Sequence, residues 1–236
     1  MKIVRFTVQA KVFAILKDAC FGVVTAREVD NRTSRPEIAA ILQEATARAA
    51  QDFQSGKIKE HPAILPYREA FRTLGYNPNK YPSSIEALAQ RVAKGGAPPS
   101  INNAVDLANA FSLLYHLPIG AHDMDRFSGD IELRFSEPGD IFIPFGGGEN
   151  EPPDPGELVY ASGNRVKTRR WIWRQGEDGK ITPQCRNIFF PIDGFRGINE
   201  TAVLEARDRL AALLEELFHC RVKTGFVHRE NPAMEL

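Results

Sequence analysis

The period of the hydrophobic pattern changes at Pro118, and this change limits the folds open to the 236-residue chain more than any other feature. Upstream, apolar residues mostly recur at three- and four-residue steps, which is the spacing of amphipathic helices. Downstream, alternation like that of Ile131, Leu133 and Phe135 is typical of β-strands. Because the chain mixes both periods and has no internal repeat, we predict one α+β domain over residues 1–236.

Start and stop signals place the individual elements. Pro36 and Ser83 or Ser84 are suited to the first turn of a helix, whereas Gly75 and Gly95 are suited to the residue after its end. The predicted helices span about 36–53, 62–74, 84–95, 102–116 and 200–218; the predicted strands span 2–8, 20–29 and 131–135, a hairpin of 165–175 and 180–190 turning at Asp178-Gly179, and the closing RVKTGFVH.

Composition and charge argue against several classes of protein. Thirty basic and thirty acidic residues cancel, so no overall field draws the chain onto nucleic acid, and a duplex-coating protein is not expected. No apolar run approaches a membrane span, and MKIVRFTVQAKVF lacks the apolar block of a signal peptide. Cys20, Cys185 and Cys220 form neither a CxxC pair nor a disulfide framework. We therefore expect a cytoplasmic protein with no membrane partner.

A polar stripe follows one side of the predicted helix over 102–116. Asn102, Asp106 and Asn109 stand at i, i+4 and i+7, opposite an apolar face. The ordinary interpretation is a solvated face. The alternative is a wall of amide and carboxylate groups that faces a polar ligand. A glycine- and proline-rich loop over 146–155 has two interpretations as well, a lid or a long connection.

Both tryptophans lie among three arginines in one predicted strand. Such a cluster can stack bases or bind a phosphate or carboxylate, or it can be a core strand whose arginines cover the tryptophans. Because alternate residues of a strand share a face, the pattern predicts two sets of side chains. Arg169, Trp171, Trp173 and Gln175 are predicted on one face, and Arg170, Ile172 and Arg174 on the other.

His122 is followed by two carboxylates, Asp123 and Asp125. The group could work as an acid/base pair, whereas aspartates in such a segment more often cap turns. No metal site is predicted, because no second histidine follows at i+3 or i+4 and no thiolate is near. The chain also lacks GxSxG, HExxH, Walker and GxGxxG motifs, so no cofactor is predicted, and oxidoreductases and nucleotide hydrolases lose their usual support.

The run SINNAVDLANAFSLLYHLPIGAHDMDRFSGDIELRFSEPGD resembles the B3/B4 core of the bacterial phenylalanyl-tRNA synthetase β-subunit, which hydrolyses wrongly charged tRNA. With its flanks, the resemblance covers about residues 60–195. It implies an α+β fold of the B3/B4 type, a β-sandwich of unusual topology with flanking helices. The matching positions are Asn103, Val105, Asp106, Asn109, Pro118, Ala121, Asp123, Gly129 and Arg134.

Three departures from the synthetase pattern affect the implied pocket. Ala108 stands where the family has threonine, and Gly120 stands where it has histidine. His122 takes the place of a phenylalanine, and RRWIWRQG replaces a glycine-rich segment that ends in glutamate. The resemblance therefore implies a pocket in the same place with a different selectivity.

The resemblance implies a trans-acting editing protein, an aminoacyl-tRNA deacylase that binds the tRNA acceptor end and hydrolyses the ester of mischarged tRNA. The alternative is a non-catalytic B3/B4 module that binds RNA, a free amino acid or a small metabolite. A complete synthetase is excluded by size and by the missing nucleotide motif. The implied catalytic residues are Asn109 and His122; the implied substrate-binding residues are Asn102, Asp106, Asp123, Arg170, Trp173, Arg174 and Gln175.

Overall fold

Ten strands form two sheets in the computed structural model, which describes residues 4–54 and 56–236. The longest strands coincide with segments rich in Val, Ile, Phe and Thr, whose side chains pack well on a pleated surface. In chain order they are β1 (Arg5–Val8), β2 (Ala19–Arg27), β3 (His122–Asp123), β4 (Ile131–Phe135), β5 (Leu158–Ser162), β6 (Arg165–Arg169), β7 (Arg174–Gln175), β8 (Asn187–Phe195), β9 (Arg221–Val227) and β10 (Ala233–Glu235).

Local signals in the sequence fix several helix ends. The Ser83 hydroxyl accepts a hydrogen bond from the Glu86 amide at 3.3 Å and caps the following helix. His116 and His219 end two helices in the left-handed conformation, with φ of 54° and 50°. The helices are α1 (Ala10–Ile15), α2 (Pro36–Asp52), α3 (Leu65–Thr73), α4 (Ser84–Ala93), α5 (Asn103–Tyr115) and α6 (Glu200–Phe218).

The two sheets differ in size and in strand direction. The smaller has the order β3-β8-β2-β9 and is antiparallel throughout. The larger has the order β10-β1-β4-β5-β6-β7, in which β1 and β4 run parallel and the other neighbours run antiparallel. Because parallel strands need a long crossover, the connection from β1 to β4 contains β2, β3 and the first five helices.

The sheets pack face to face around an aromatic core. The ring of Phe6 in β1 lies 5.9 Å from that of Phe21 in β2 and 5.2 Å from that of Phe189 in β8, centroid to centroid. The outer face of the smaller sheet is covered by α5 and α6, where Leu107 and Leu210 belong to the same buried cluster as Phe190 and Val24. The predicted α+β fold, a β-sandwich with flanking helices, is confirmed.

The hairpin predicted over 165–175 and 180–190 is wrong. Strand β6 ends at Arg169 because Arg170 and Trp171 adopt left-handed φ of 44° and 62°, and the chain returns as β7. These two residues also break the predicted alternation of faces. The second arm begins later and belongs to the other sheet as β8. A left-handed pair of bulky residues leaves no local sequence signal.

The other predicted elements lie close to their observed positions, whereas helix α1 and the strands β3 and β5 were not predicted. The first strand is described from Arg5 onward, and residues 2 and 3 of the prediction lie outside the described residues. The helix predicted over 62–74 begins at Leu65, and the short strand β10 was missed. Within residues 4–54 and 56–236, no helix combines the length and apolar character needed to cross a membrane.

A glycine in β2 allows α6 to pack directly on the smaller sheet, and Gly22→Ala tests this contact. A Cβ at Gly22 would lie 2.9 Å from Val203 Cγ1 and 3.3 Å from the Val203 carbonyl oxygen. We expect a loss of about 1–3 kcal/mol in the free energy of unfolding, measured by urea denaturation. Gly129→Ala is the matched control, since no atom lies within 4 Å of its added Cβ. Equal stability of the two variants would contradict this packing.

Candidate functional site

A cavity of about 170 Å³ lies where the two sheets meet α5. An apolar cavity of about 150 Å³ suffices to hold a benzene ring, so this one is large enough for an amino-acid side chain. The cavity opens to the protein surface, since several of its lining residues are only half-buried. The lining residues are Ser84, Val105, Ala108, Asn109, Pro118, Ile119, Gly120, Ala121, His122, Tyr160, Thr168, Trp171, Ile172, Trp173, Gln175, Pro191 and Asp193.

His122 is a neutral imidazole in the wall of this cavity. It lies in β3 opposite Phe189 of β8, and its ring is 6.0 Å from that of Tyr160, centroid to centroid. Burial, and to a lesser extent the positive charge of Lys167, lower the pKa of His122 to about 3. At neutral pH the side chain therefore carries no charge and acts as a hydrogen-bonding group.

Gln175 fixes which nitrogen of His122 carries the proton. Its Nε2 donates to the carbonyl oxygens of Ala121 at 2.9 Å and Gly179 at 3.1 Å, so the orientation of the amide is set by two acceptors. The same Nε2 lies 3.4 Å from His122 Nδ1. Two donors cannot face each other, so we assign the proton to Nε2. A Cβ at Gly120 would be 3.2 Å from Nε2, which places this donor on the Gly120 side.

Asp193, which the sequence analysis missed, is a buried carboxylate in the cavity wall. Its Oδ1 accepts hydrogen bonds from the Tyr160 hydroxyl at 2.7 Å and from Trp171 Nε1 at 2.6 Å. Burial raises the pKa of Asp193 to about 7, although both donors oppose the shift. Among the described residues, Oδ2 accepts no hydrogen bond. The sequence signal that indicates Asp193 is a single carboxylate in the otherwise apolar strand IFFPIDGF.

Asn109 lies on α5 and contributes a free amide to the cavity. It is half-buried, and its side chain makes no hydrogen bond within the described part of the chain. The neighbouring wall of α5 is apolar, since Val105 and Ala108 lie beside it. Asn109 is therefore the polar group that this helix offers to a ligand.

Asn102 and Asp106 hold the start of α5 instead of lining the cavity. The Asn102 side-chain oxygen accepts from the Val105 amide at 3.2 Å, which makes Asn102 the helix cap. Asp106 accepts from the Ser100 hydroxyl at 2.6 Å and from the Ile101 amide at 2.8 Å. The polar stripe therefore has two roles, since Asn102 and Asp106 stabilise the start of α5 and Asn109 lines the cavity. Asn102 and Asp106 are not part of the proposed site.

Asp123 likewise points away from the cavity. Adjacent residues of an extended segment face opposite sides, so Asp123 and His122 do not form a pair there. Asp123 accepts from the Asp125 amide at 3.0 Å and from the Cys185 thiol at 3.0 Å. Burial, and then this carboxylate, raise the pKa of Cys185. No group of three metal-binding side chains occurs in the described ranges.

The arginines of the predicted cluster support the cavity wall from behind. The Arg170 guanidinium is buried, pairs with Asp154 at 2.6 Å and lies 4.8 Å from the ring centroid of Trp173. Arg174 pairs with Glu151 at 3.0 Å. Trp173 lines the cavity, whereas neither of these arginines does. Because Glu151 and Asp154 belong to the glycine- and proline-rich loop, the ion pairs also fasten that loop.

The buried His122 and Asp193 should give the stability of the fold opposite pH dependences. The pKa of His122 falls from 6.5 to about 3 on folding, so its contribution is complete above pH 6.5 and is lost as the pH falls. The pKa of Asp193 rises from 3.8 to about 7, so its contribution is complete below pH 3.8 and is lost as the pH rises through 7.

The variants His122→Gln and Asp193→Asn separate the two effects. Between about pH 4 and 6.5, His122 contributes a positive slope to the free energy of unfolding plotted against pH, and Asp193 contributes a negative slope. His122→Gln should therefore make the overall slope more negative, and Asp193→Asn should make it more positive. Each slope should change by up to about 1.4 kcal/mol per pH unit. Urea denaturation at a series of pH values measures this, and slopes equal to that of the wild type would contradict the assignment.

Comparisons with known proteins agree with the sequence resemblance. Residues 66–219 match the family model described as B3/4 domain. Over 172 residues the chain is 27% identical to the phenylalanine–tRNA ligase β subunit of Lactococcus lactis subsp. lactis (strain IL1403), a match covering 63% of this chain and 21% of that protein. The chain thus spans about a fifth of the length of that relative.

A solved structure is similar over most of the chain. It is the crystal structure of an N-terminal fragment of the phenylalanyl-tRNA synthetase β-subunit from Pyrococcus horikoshii. The similarity has a TM-score of 0.49 and 11% sequence identity, and it covers 94% of this chain and 51% of that one.

Proposed function

The chain belongs to the B3/4 domain family, and we propose that it acts in trans to hydrolyse the ester bond of mischarged aminoacyl-tRNA. The observation that supports this most is the cavity itself. It has the size of an amino-acid side chain, and it presents the imidazole of His122 and the free amide of Asn109 to whatever enters. An aminoacyl ester offers a carbonyl group to such donors.

In this proposal the chemistry needs few groups. The ester of an aminoacyl-tRNA is already activated, so a positioned water and donors for the developing oxyanion are sufficient. With a pKa of about 3, His122 is a poor base at neutral pH. We assign its Nε2–H as the oxyanion donor. Asn109 orients the ester or the attacking water.

The remaining groups either position His122 or bind the tRNA end. Gln175 is a positioning residue, because its amide holds His122 in the tautomer that donates from Nε2. Trp173 is half-buried at the cavity and offers an aromatic face to the terminal adenosine. The Arg174 side chain is 38% exposed despite its pairing with Glu151, and we propose that it meets a phosphate near the tRNA end. Arg170 acts indirectly by holding Trp173.

The proposal is tested by incubating the protein with a panel of mischarged tRNAs and following loss of the aminoacyl group. We expect the wild type to deacylate at least one member. His122→Leu, which fills similar space without a donor, should be slower by about 10²-fold, because one oxyanion donor is lost. Asn109→Ala should be slower by about tenfold, which corresponds to one hydrogen bond.

Asn164→Ala is the matched control, because Asn164 is exposed in the turn between β5 and β6 and does not line the cavity. It should retain the wild-type rate. If the wild type leaves every member of the panel intact, the enzymatic proposal is wrong.

A second candidate function is a B3/4 module that binds an amino acid, a small metabolite or RNA without catalysis. The observation in its favour is that Ala108 and Gly120 line the cavity without any polar side chain. Thermal denaturation distinguishes the two, because a ligand that binds the folded state raises the melting temperature. A free amino acid that raises the melting temperature while all aminoacyl esters stay intact would favour this candidate.

A further inference from the structure

Asp193 places a carboxylate in the cavity, and none of the described residues forms an ion pair with it. Its side chain is only 2% exposed, and the groups that shift its pKa are burial and the neutral donors Tyr160 and Trp171. The other titratable groups near it are Tyr67 of α3 and Cys20 of β2, whose pKa values are both raised. None of these carries a positive charge at neutral pH, and neither does His122.

The carboxylate is not needed to hold its two donors. A neutral amide oxygen at this position would also accept the Tyr160 and Trp171 hydrogen bonds, and it would avoid the cost of burying an ionisable group. The raised pKa of Asp193 reflects that cost. The arrangement is therefore unfavourable for stability alone and suits a site whose ligand supplies the missing charge.

The rest of the wall suits an ammonium group. Tyr160, Trp171 and Trp173 line the same cavity, and aromatic faces attract cations. Asp193 Oδ1 is occupied by its two donors, which leaves Oδ2 as the acceptor for a charged N–H. A ligand that brings an ammonium group into this cavity meets a carboxylate and aromatic faces.

We propose that the cavity binds the primary ammonium group of its ligand against Asp193, and that this contact selects free α-amino groups over N-acylated ones. This inference rests on the proposed function, in which the ligand of the cavity is an aminoacyl ester. In that setting the α-amino group lies at Asp193, and the carbonyl group faces His122 and Asn109. An N-acylated aminoacyl ester has no ammonium group to pair with Asp193, and the cavity therefore rejects it.

Small compounds test this without any tRNA. The probes are amino alcohols with apolar side chains, such as leucinol and phenylalaninol, because their ammonium group stays charged around neutral pH. Each is compared with the same alcohol lacking the amino group and with its N-acetyl derivative. Binding is followed by the melting temperature and by titration calorimetry. We expect the wild type to bind at least one amino alcohol, and at least tenfold more tightly than both of its uncharged counterparts.

Asp193→Asn keeps the shape of the side chain and removes its charge. It should lose most of the preference for the ammonium compound, so that the members of each set bind within about threefold of one another. Asp208→Asn is the matched control, because this carboxylate lies on α6 with 62% of its side chain exposed. It should bind like the wild type.

The wild type alone provides a second measurement in case Asp193→Asn does not fold. Its affinity for an amino alcohol should rise as the pH increases from 6 to 8 while Asp193 ionises, since its pKa is about 7 in the free protein. Its affinity for the uncharged alcohol should change little. A flat profile for the amino alcohol would overturn the inference, as would an Asp193→Asn protein that binds like the wild type.

The two proposals fail in different ways. Deacylation of mischarged tRNA together with equal binding of charged and uncharged alcohols would overturn the ammonium site and leave the hydrolysis intact. Asp193-dependent binding of amino alcohols without deacylation would do the reverse. A wild type whose melting temperature responds to none of the amino alcohols, and which gives no calorimetric signal with them, would also overturn the ammonium site.

Discussion

The hydrogen bonds of Asp193 connect the two sheets, and much of the site depends on them. Asp193 belongs to β8 of the smaller sheet, whereas Tyr160 belongs to β5 of the larger one. Trp171 reaches the same oxygen from the turn after β6. The Tyr67 hydroxyl of α3 donates to the Asp193 carbonyl oxygen at 2.8 Å. One residue therefore joins both layers and a covering helix, and the same contacts form a wall of the cavity. The fold and the site share these residues.

The sequence predicted elements whose causes are local. Pro36 begins α2, and Ser83 caps α4, because both effects act within one helical turn. The sequence did not predict the path of the chain between β6 and β8, because tertiary contacts determine that path. Trp171 donates to Asp193, 22 residues away, and with Arg170 it takes a left-handed conformation that alternation cannot indicate. Trp171 is fully buried, and it contributes to the cavity wall from the core and not from an exposed strand face.

The candidate site was predicted in part for the same reason. Position along an element says which side chains share a face, but not which face meets a cavity made by two sheets and a helix. The lone carboxylate of β8 looked like one residue of a buried strand until β5 was placed beside it. Of the residues proposed from sequence, Asn109, His122, Trp173 and Gln175 line the cavity, whereas Asn102, Asp106, Asp123, Arg170 and Arg174 do not.

Gly120 and His122 lie close enough that a side chain at either position reaches the same part of the cavity. The resemblance to the synthetase domain aligned a histidine with Gly120, where this chain has no side chain. Residues two apart in an extended segment share a face, and a Cβ at Gly120 would lie 3.2 Å from His122 Nε2. A position-by-position comparison therefore finds no imidazole at Gly120, although the imidazole of His122 lies beside it. The space that a side chain fills is therefore a better basis for comparing this cavity with others than the sequence position that supplies the side chain.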